Sequence, residues 1–211
     1  MKQEYSKIEP LYRKGSNLLT NMMYDISRQG FEKIPERGPI LIISNHVSYV
    51  DGVVLQSAFK RPVRFVIDRF IYEMPIVNYF MTINRAIPIL AKKDSVEEAL
   101  DKISEGLEAG DAICIFPEGQ LTYTGNLGRF KPGIEWIIER DPVPIYPVAI
   151  KGLWNSMFSR KYRHSNFRWL PKGIRGKVKL KCGDVIHPGN VRVDHLQRVI
   201  LNLKNEIDLN N

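Results

Sequence analysis

Short apolar runs bounded by turn residues alternate along this chain with longer segments whose apolar positions recur every three or four residues. Ile40-Leu41-Ile42-Ile43 is apolar on both faces, as in a strand buried inside a parallel sheet. Residues 63–67, 86–90, 112–116 and 145–150 carry the same strand pattern. Val178 and Leu180 alternate with Lys177, Lys179 and Lys181, which predicts a strand at an exposed sheet edge. Helical spacing places Ile8, Leu11, Tyr12, Leu18, Leu19, Met22 and Ile26 on one face of an amphipathic helix over 7–28. That face is expected to pack on the core, with a membrane-surface helix as the alternative. A second helix is predicted over 70–81, interrupted early by Pro75. A third is capped by Asp94-Ser95, with Glu98 closing a capping box and Gly110 ending it. Val96, Leu100, Ile103 and Leu107 form its buried stripe. A last helix over 194–208 buries Leu196, Val199, Ile200, Leu203 and Ile207.

Strands alternating with helices predict an α/β fold, a mainly parallel sheet flanked by helices, with an N-terminal amphipathic helix. The division expected is an N-terminal helical segment over 1–30 and one domain over 31–211. Loops that follow the strand ends are then where chemistry belongs.

Composition narrows the picture. The 211 residues are 44% hydrophobic, enough for a sizeable core and against disorder. A net charge of +8 suits an anionic partner. Cys114 and Cys182 lie in apolar runs, which predicts buried thiols; no metal-ligand spacing and no disulfide framework is present. The opening residues have no apolar signal region, and no stretch approaches the roughly 18 apolar residues of a spanning helix.

Two strand ends stand out. In Asn45-His46-Val47-Ser48-Tyr49-Val50-Asp51, a histidine precedes a carboxylate by five residues. Imidazole takes up a proton near neutrality, and a carboxylate that fixes its tautomer makes it a better base. A turn from strand into helix would let the two side chains meet. A loop histidine with only a hydrogen-bonding role has the same appearance. In Phe116-Pro117-Glu118-Gly119, a carboxylate follows a buried strand directly, either to bind a polar group or to cap a turn.

Together these blocks resemble the glycerolipid acyltransferases of the bacterial 1-acylglycerol-3-phosphate acyltransferase type, with their Asn-His-x4-Asp and Phe-Pro-Glu-Gly motifs. His46 and Phe116 lie about 70 residues apart, as in that family. Ala86-Ile87-Pro88-Ile89 stands where its second block falls, and Val143-Pro144-Ile145-Tyr146-Pro147-Val148 resembles its fourth. The resemblance implies transfer of a fatty-acyl chain from acyl-CoA or acyl carrier protein to a lysophospholipid, such as 1-acylglycerol-3-phosphate, without metal or other cofactor. His46 is then the general base, Asp51 its orienting partner, and Asn45, Glu118 and Gly119 substrate-binding residues. Ser48 is a turn residue rather than a nucleophile. Arginines that the family uses to clamp the acceptor phosphate are missing: Leu121 holds one place, and Leu90-Ala91 follow the second block. Lys92, Lys93, Arg129 and Arg85 are the candidate substitutes. The continuation Gln120-Leu121-Thr122-Tyr123-Thr124-Gly125 looks more like acyltransferase modules of fused proteins, which act on acceptors such as 2-acylglycerophosphoethanolamine.

Residues 151–182 hold ten Lys or Arg and no acid, interleaved with Trp154, Met157, Phe158, Tyr162, Phe167 and Trp169. Aromatics beside cations suit a membrane interface, for which Trp154, Phe158, Arg160, Lys161 and Trp169 are the candidates. Inward-packed rings with solvated charges are the plainer reading, and no nucleic-acid partner is expected. The expected location is cytoplasmic, peripheral at the inner face of the cytoplasmic membrane. Thioester hydrolysis and a non-catalytic lipid-binding module are the rival functions.

Overall fold

The structure is a computed structural model that describes residues 2–162, 176–189 and 191–209. Seven strands form one sheet in the order β1-β7-β6-β2-β5-β3-β4. They are β1 (Tyr24–Gln29), β2 (Ile40–Ser44), β3 (Val63–Asp68), β4 (Ile87–Ile89), β5 (Ala112–Ile115), β6 (Ile145–Lys151) and β7 (Gly176–Cys182). The helices are α1 (Lys2–Met23), α2 (Asp51–Ala58), α3 (Arg69–Tyr72), α4 (Pro75–Ile83), α5 (Lys93–Glu108), α6 (Gly133–Arg140) and α7 (Val193–Leu209). Every neighbouring pair is parallel except β6 with β7. The mainly parallel sheet is therefore as expected.

The doubly apolar strands are buried on both faces. Leu41 and Ile43 of β2 pack with Ile113 and Ile115 beneath α5, α6 and α7. Ile40 and Ile42 face the other way, into a cluster with Val54 and Leu55 of α2 and Cys114. Both cysteines are free and buried, and burial pushes the Cys182 thiol up to about 12. No helix among the described residues is long and apolar enough to cross a membrane.

Four local expectations differ from what is found. The helix predicted over 7–28 ends at Met23, and Tyr24–Gln29 form a strand. That strand pairs along its whole length with β7, some 150 residues later in the chain, so no local propensity announces it. Four residues of the apolar face of α1 do not pack on the core: Leu11, Leu18, Leu19 and Met22 are 58–73% exposed. Strand β7 is not an edge, because β1 covers it; Val178 and Leu180 are buried in the cluster with α2. Finally, α5 starts at Lys93 without a side-chain cap. Ser95 lies inside its first turn and its Oγ accepts a hydrogen bond from the Leu90 amide. Glu98 pairs with Arg69 and Lys102 rather than closing a capping box.

Candidate active site

Strands β6, β2 and β5 are neighbours in the middle of the sheet and run in the same direction. Their C-terminal ends therefore deliver three loops to one rim: 45–50 from β2, 116–132 from β5 and 152–162 from β6.

The first loop leaves the sheet by a specific device. Ser44 is the last residue of β2 in register with β6, opposite Val148. The next pairing position on β6 is occupied by a side chain: Asn45 Nδ2 donates to the Ile150 carbonyl at 3.0 Å, and the Ile150 amide donates to Asn45 Oδ1 at 2.7 Å. A primary amide offers the same donor and acceptor as a peptide, so β6 stays satisfied while the β2 backbone turns away. Asn45 is 1% exposed with both polar atoms used. It frames the rim, with its side-chain amide engaged by β6.

His46 then projects above the rim, its ring stacked on Phe116 with centroids 4.1 Å apart. Its Nδ1 lies 2.8 Å from Asp51 Oδ2. The same oxygen accepts from the amides of Val47 at 2.7 Å and Ser48 at 3.0 Å. An oxygen that already accepts from two amides acts as an acceptor towards the ring as well, which places the proton on Nδ1 and leaves Nε2 its lone pair. Asp51 is wholly buried as the first residue of α2, where the helix N-terminus favours a carboxylate. Ser48 is also buried; its carbonyl accepts the Asp51 amide, as a turn residue.

The second loop locks onto the first through Glu118, which is 3% exposed. Its Oε1 accepts the His46 amide and its Oε2 the Gly128 amide, each at 2.7 Å. Burial raises its pKa, while those two bonds oppose the rise. Glu118 thus ties the His46 backbone to the loop over 119–129 while bordering the cavity on this rim. Gly119 is left-handed, at φ 63°, with the Lys131 stem lying where a side chain would go. The Thr122 amide donates to the His46 carbonyl at 3.0 Å. Its hydroxyl bonds the Asn126 carbonyl and accepts the Gly125 amide, which curls the loop; Lys204 of α7 donates to the Gly125 carbonyl. The Gln-Leu-Thr-x-Thr-Gly continuation is therefore a loop-shaping sequence.

The third loop covers the second. The Trp154 ring packs where a Gly125 side chain would stand, so this half-buried tryptophan holds the loop from beneath. Phe158 is half-buried as well, and its carbonyl accepts the Tyr49 amide. Lys161 is exposed and reaches Asn155 Oδ1. Trp169 lies outside the described residues.

A cavity of about 240 Å³ opens on this rim, lined by Glu118, Leu121, Tyr123, Leu127, Gly128 and Arg129 among others. It is sized for a headgroup rather than an acyl chain. Of the four cations considered as phosphate clamps, only Arg129 borders it. Lys92 and Lys93 are exposed after β4, three strands from β2 and about 14 Å along the sheet. Arg85 sits at the opposite end of the strands, paired with Asp111 at 2.7 Å. There it borders a larger hollow of about 350 Å³ with Arg37, Arg61 and Arg64, away from His46. Among the described residues no group of three or more metal-ligating side chains gathers.

Glu118→Gln places an amide NH2 against one of the two backbone donors. We expect kcat to fall about 10- to 100-fold and stability by roughly 1–3 kcal/mol. A carboxyl whose pKa is raised on folding favours the native state most below its unfolded value and loses that contribution as pH rises through the folded one. The stability of the native chain relative to the Gln variant should thus decline from about pH 4 towards neutrality in urea melts; a flat difference would contradict the assignment.

The chain is similar to known acyltransferases. Residues 25–151 match the family model described as Acyltransferase. The chain is 28% identical over 173 residues to the chloroplastic 1-acyl-sn-glycerol-3-phosphate acyltransferase of Arabidopsis thaliana, covering 81% of this chain and 42% of that protein. It is 30% identical over 162 residues to a probable 1-acyl-sn-glycerol-3-phosphate acyltransferase of Mycoplasma genitalium, covering 74% of this chain and 60% of the other. It thus spans less than two thirds of either relative. The crystal structure of the 1-acyl-sn-glycerophosphate (LPA) acyltransferase from Thermotoga maritima shares the fold, with a TM-score of 0.77 at 19% identity, over 98% of this chain and 82% of that one.

Proposed function

The chain belongs to the acyltransferase family, and from that premise we propose that it is an O-acyltransferase moving a fatty-acyl group from a thioester to a lysophospholipid hydroxyl. The observation that carries this is the His46–Asp51 pair, 2.8 Å apart at the end of a central strand, with the other imidazole nitrogen left to act as base. His46 Nε2 takes the proton of the acceptor hydroxyl as its oxygen attacks the thioester carbonyl. The tetrahedral intermediate collapses by breaking the C–S bond, and the departing thiolate takes the proton from the imidazolium. Asp51 stabilises that imidazolium and holds its orientation. The donor is acyl-CoA or acyl carrier protein, a substrate, and no cofactor is required.

The acceptor we propose is 1-acylglycerol-3-phosphate, in keeping with what the relatives are named for, with 2-acylglycerophosphoethanolamine as the alternative. We propose further that catalysis resides in residues 31–211, and that residues 1–30 help hold the chain at the inner face of the cytoplasmic membrane. Support comes from exposed apolar side chains: Leu11, Leu18, Leu19 and Met22 on α1, and Phe70, Met74 and Tyr79 on and beside α3 and α4.

Purified protein should convert labelled long-chain acyl-CoA and one of a panel of lysolipids into the diacyl product. Free fatty acid alone would mean thioester hydrolysis. Lipid binding without turnover, with either CoA or carrier-protein donors, would leave a non-catalytic module.

A further inference from the structure

Arg160, a candidate for membrane contact, is placed by the fold beside the loop that leads from β2 to α2. Ser159 forms an antiparallel bridge with Ser48, and the Tyr49 amide donates to the Phe158 carbonyl at 3.2 Å. The turn that leads there is pinned. Ser159 Oγ donates to the Trp154 carbonyl at 2.7 Å, and Ser156 Oγ meets the buried Tyr24 hydroxyl at 2.7 Å. Arg160 therefore leaves the backbone beside the loop that joins His46 to Asp51.

Its guanidinium is held in place. Nη1 donates to the Leu121 carbonyl at 3.2 Å, and the guanidinium carbon lies 4.1 Å from the centroid of the Tyr123 ring. Leu121 is the residue after Gln120 in the loop whose Thr122 amide bonds the His46 carbonyl, so the cation stands within one loop's width of the base. Yet the charge is not matched. Among the described residues no carboxylate lies within ion-pair distance of Arg160, and its Nε, closed from solvent, has no hydrogen-bond acceptor. Leaving a buried guanidinium N–H unpaired is costly, and such groups call for an explanation outside packing.

We propose that Arg160 is the specificity-determining residue for the acceptor, reading the phosphate of the lysolipid headgroup while His46 takes the proton of its free hydroxyl. This inference rests on the acyl-transfer reading of His46. A guanidinium suits the task because it offers several fixed donors to phosphate oxygens and cannot lose its charge. Stacking on Tyr123 and the bond to Leu121 orient it beforehand, which lowers the entropic cost of gripping the anion. The clamp is then supplied from the loop after β6, where the loop after β5 has leucine.

The test compares Arg160→Gln and Arg160→Lys with the native chain, using short-chain 1-acylglycerol-3-phosphate and the matching phosphate-free monoacylglycerol. The Gln variant should lower the ratio of kcat/KM between the two acceptors by about 10- to 100-fold, chiefly through KM, and Lys should restore part of it. An equal proportional loss on both acceptors would reduce Arg160 to a structural latch and overturn the proposal. So would an unchanged ratio accompanied by weaker flotation with anionic phospholipid vesicles, which would return the residue to membrane contact. If the native chain acylates neither acceptor, the acyl-transfer reading fails. The dissociation constants of the two lipids, read by tryptophan fluorescence, then decide this one. A phosphate preference lost in the Gln variant supports it, and one retained or absent from the start overturns it.

Discussion

Replacing His46 with alanine should lower kcat for acyl transfer by about 10³- to 10⁴-fold, the upper part of the range for general-base catalysis. An alcohol is a poor nucleophile until its proton begins to leave, and among the described residues no second base of similar placement stands on the rim. Glu118 is turned inward with both oxygens bonded to amides. Asp51 is buried behind the ring it orients. The change should leave the fold intact, because the His46 amide and carbonyl keep their partners, Glu118 and Thr122. What is lost is ring packing on Phe116, about 1 kcal/mol, and the ring's bond to Asp51 Oδ2, about 1.5–3 kcal/mol, with the Val47 and Ser48 amides still on that oxygen. Initial rates with saturating acyl-CoA and acceptor, beside thermal melts, separate the two effects. A folded variant that keeps a tenth of native turnover would remove His46 from the chemistry.

The second large effect is expected from Asp51→Asn. In a generic triad, exchanging the carboxylate for an amide costs about 10⁴-fold because the imidazole adopts the wrong tautomer. Here the surroundings choose the amide's orientation. The position of Oδ2 receives amide protons from Val47 and Ser48 besides the His46 ring. An NH2 group there would face three donors, so the asparagine oxygen takes that place and the tautomer survives. The remaining loss is the negative charge that stabilises the imidazolium. We therefore expect kcat to fall about 10²- to 10³-fold, with KM for the acceptor nearly unchanged. Asp51→Ala is a harsher variant: three donors at a buried position lose their acceptor, and the loop should loosen along with the chemistry. If Asn and Ala lower kcat equally without loss of stability, the carboxylate is not the organiser of this loop.

These expectations draw on two kinds of information. Hydrophobic patterning determined the α/β architecture and the five parallel strands, because a strand buried on both faces must be apolar at every position, as Ile40 to Ile43 are. It also placed the chemistry, since His46 and Glu118 each follow such a strand. The motif spacing made His46 and Asp51 neighbours, as the structure has them, because six residues can span a strand-to-helix turn.

Tertiary structure decided the rest wherever a residue's role depends on a partner distant in sequence. Tyr24–Gln29 are a strand only because β7 lies beside them, and the lysine-rich β7 is internal for the same reason. Asn45 and Glu118 read as polar groups available to substrate. Their structural bonds became visible only because Ile150, the His46 backbone and Gly128 fold around them. Arg160 read as one cation among ten in a basic segment. Its place beside the base arises from the bridge between Ser159 and Ser48, a contact across more than a hundred residues. Periodicity reports which face a side chain takes, whereas hydrogen-bond partners and unmatched charges are set only when the chain closes on itself.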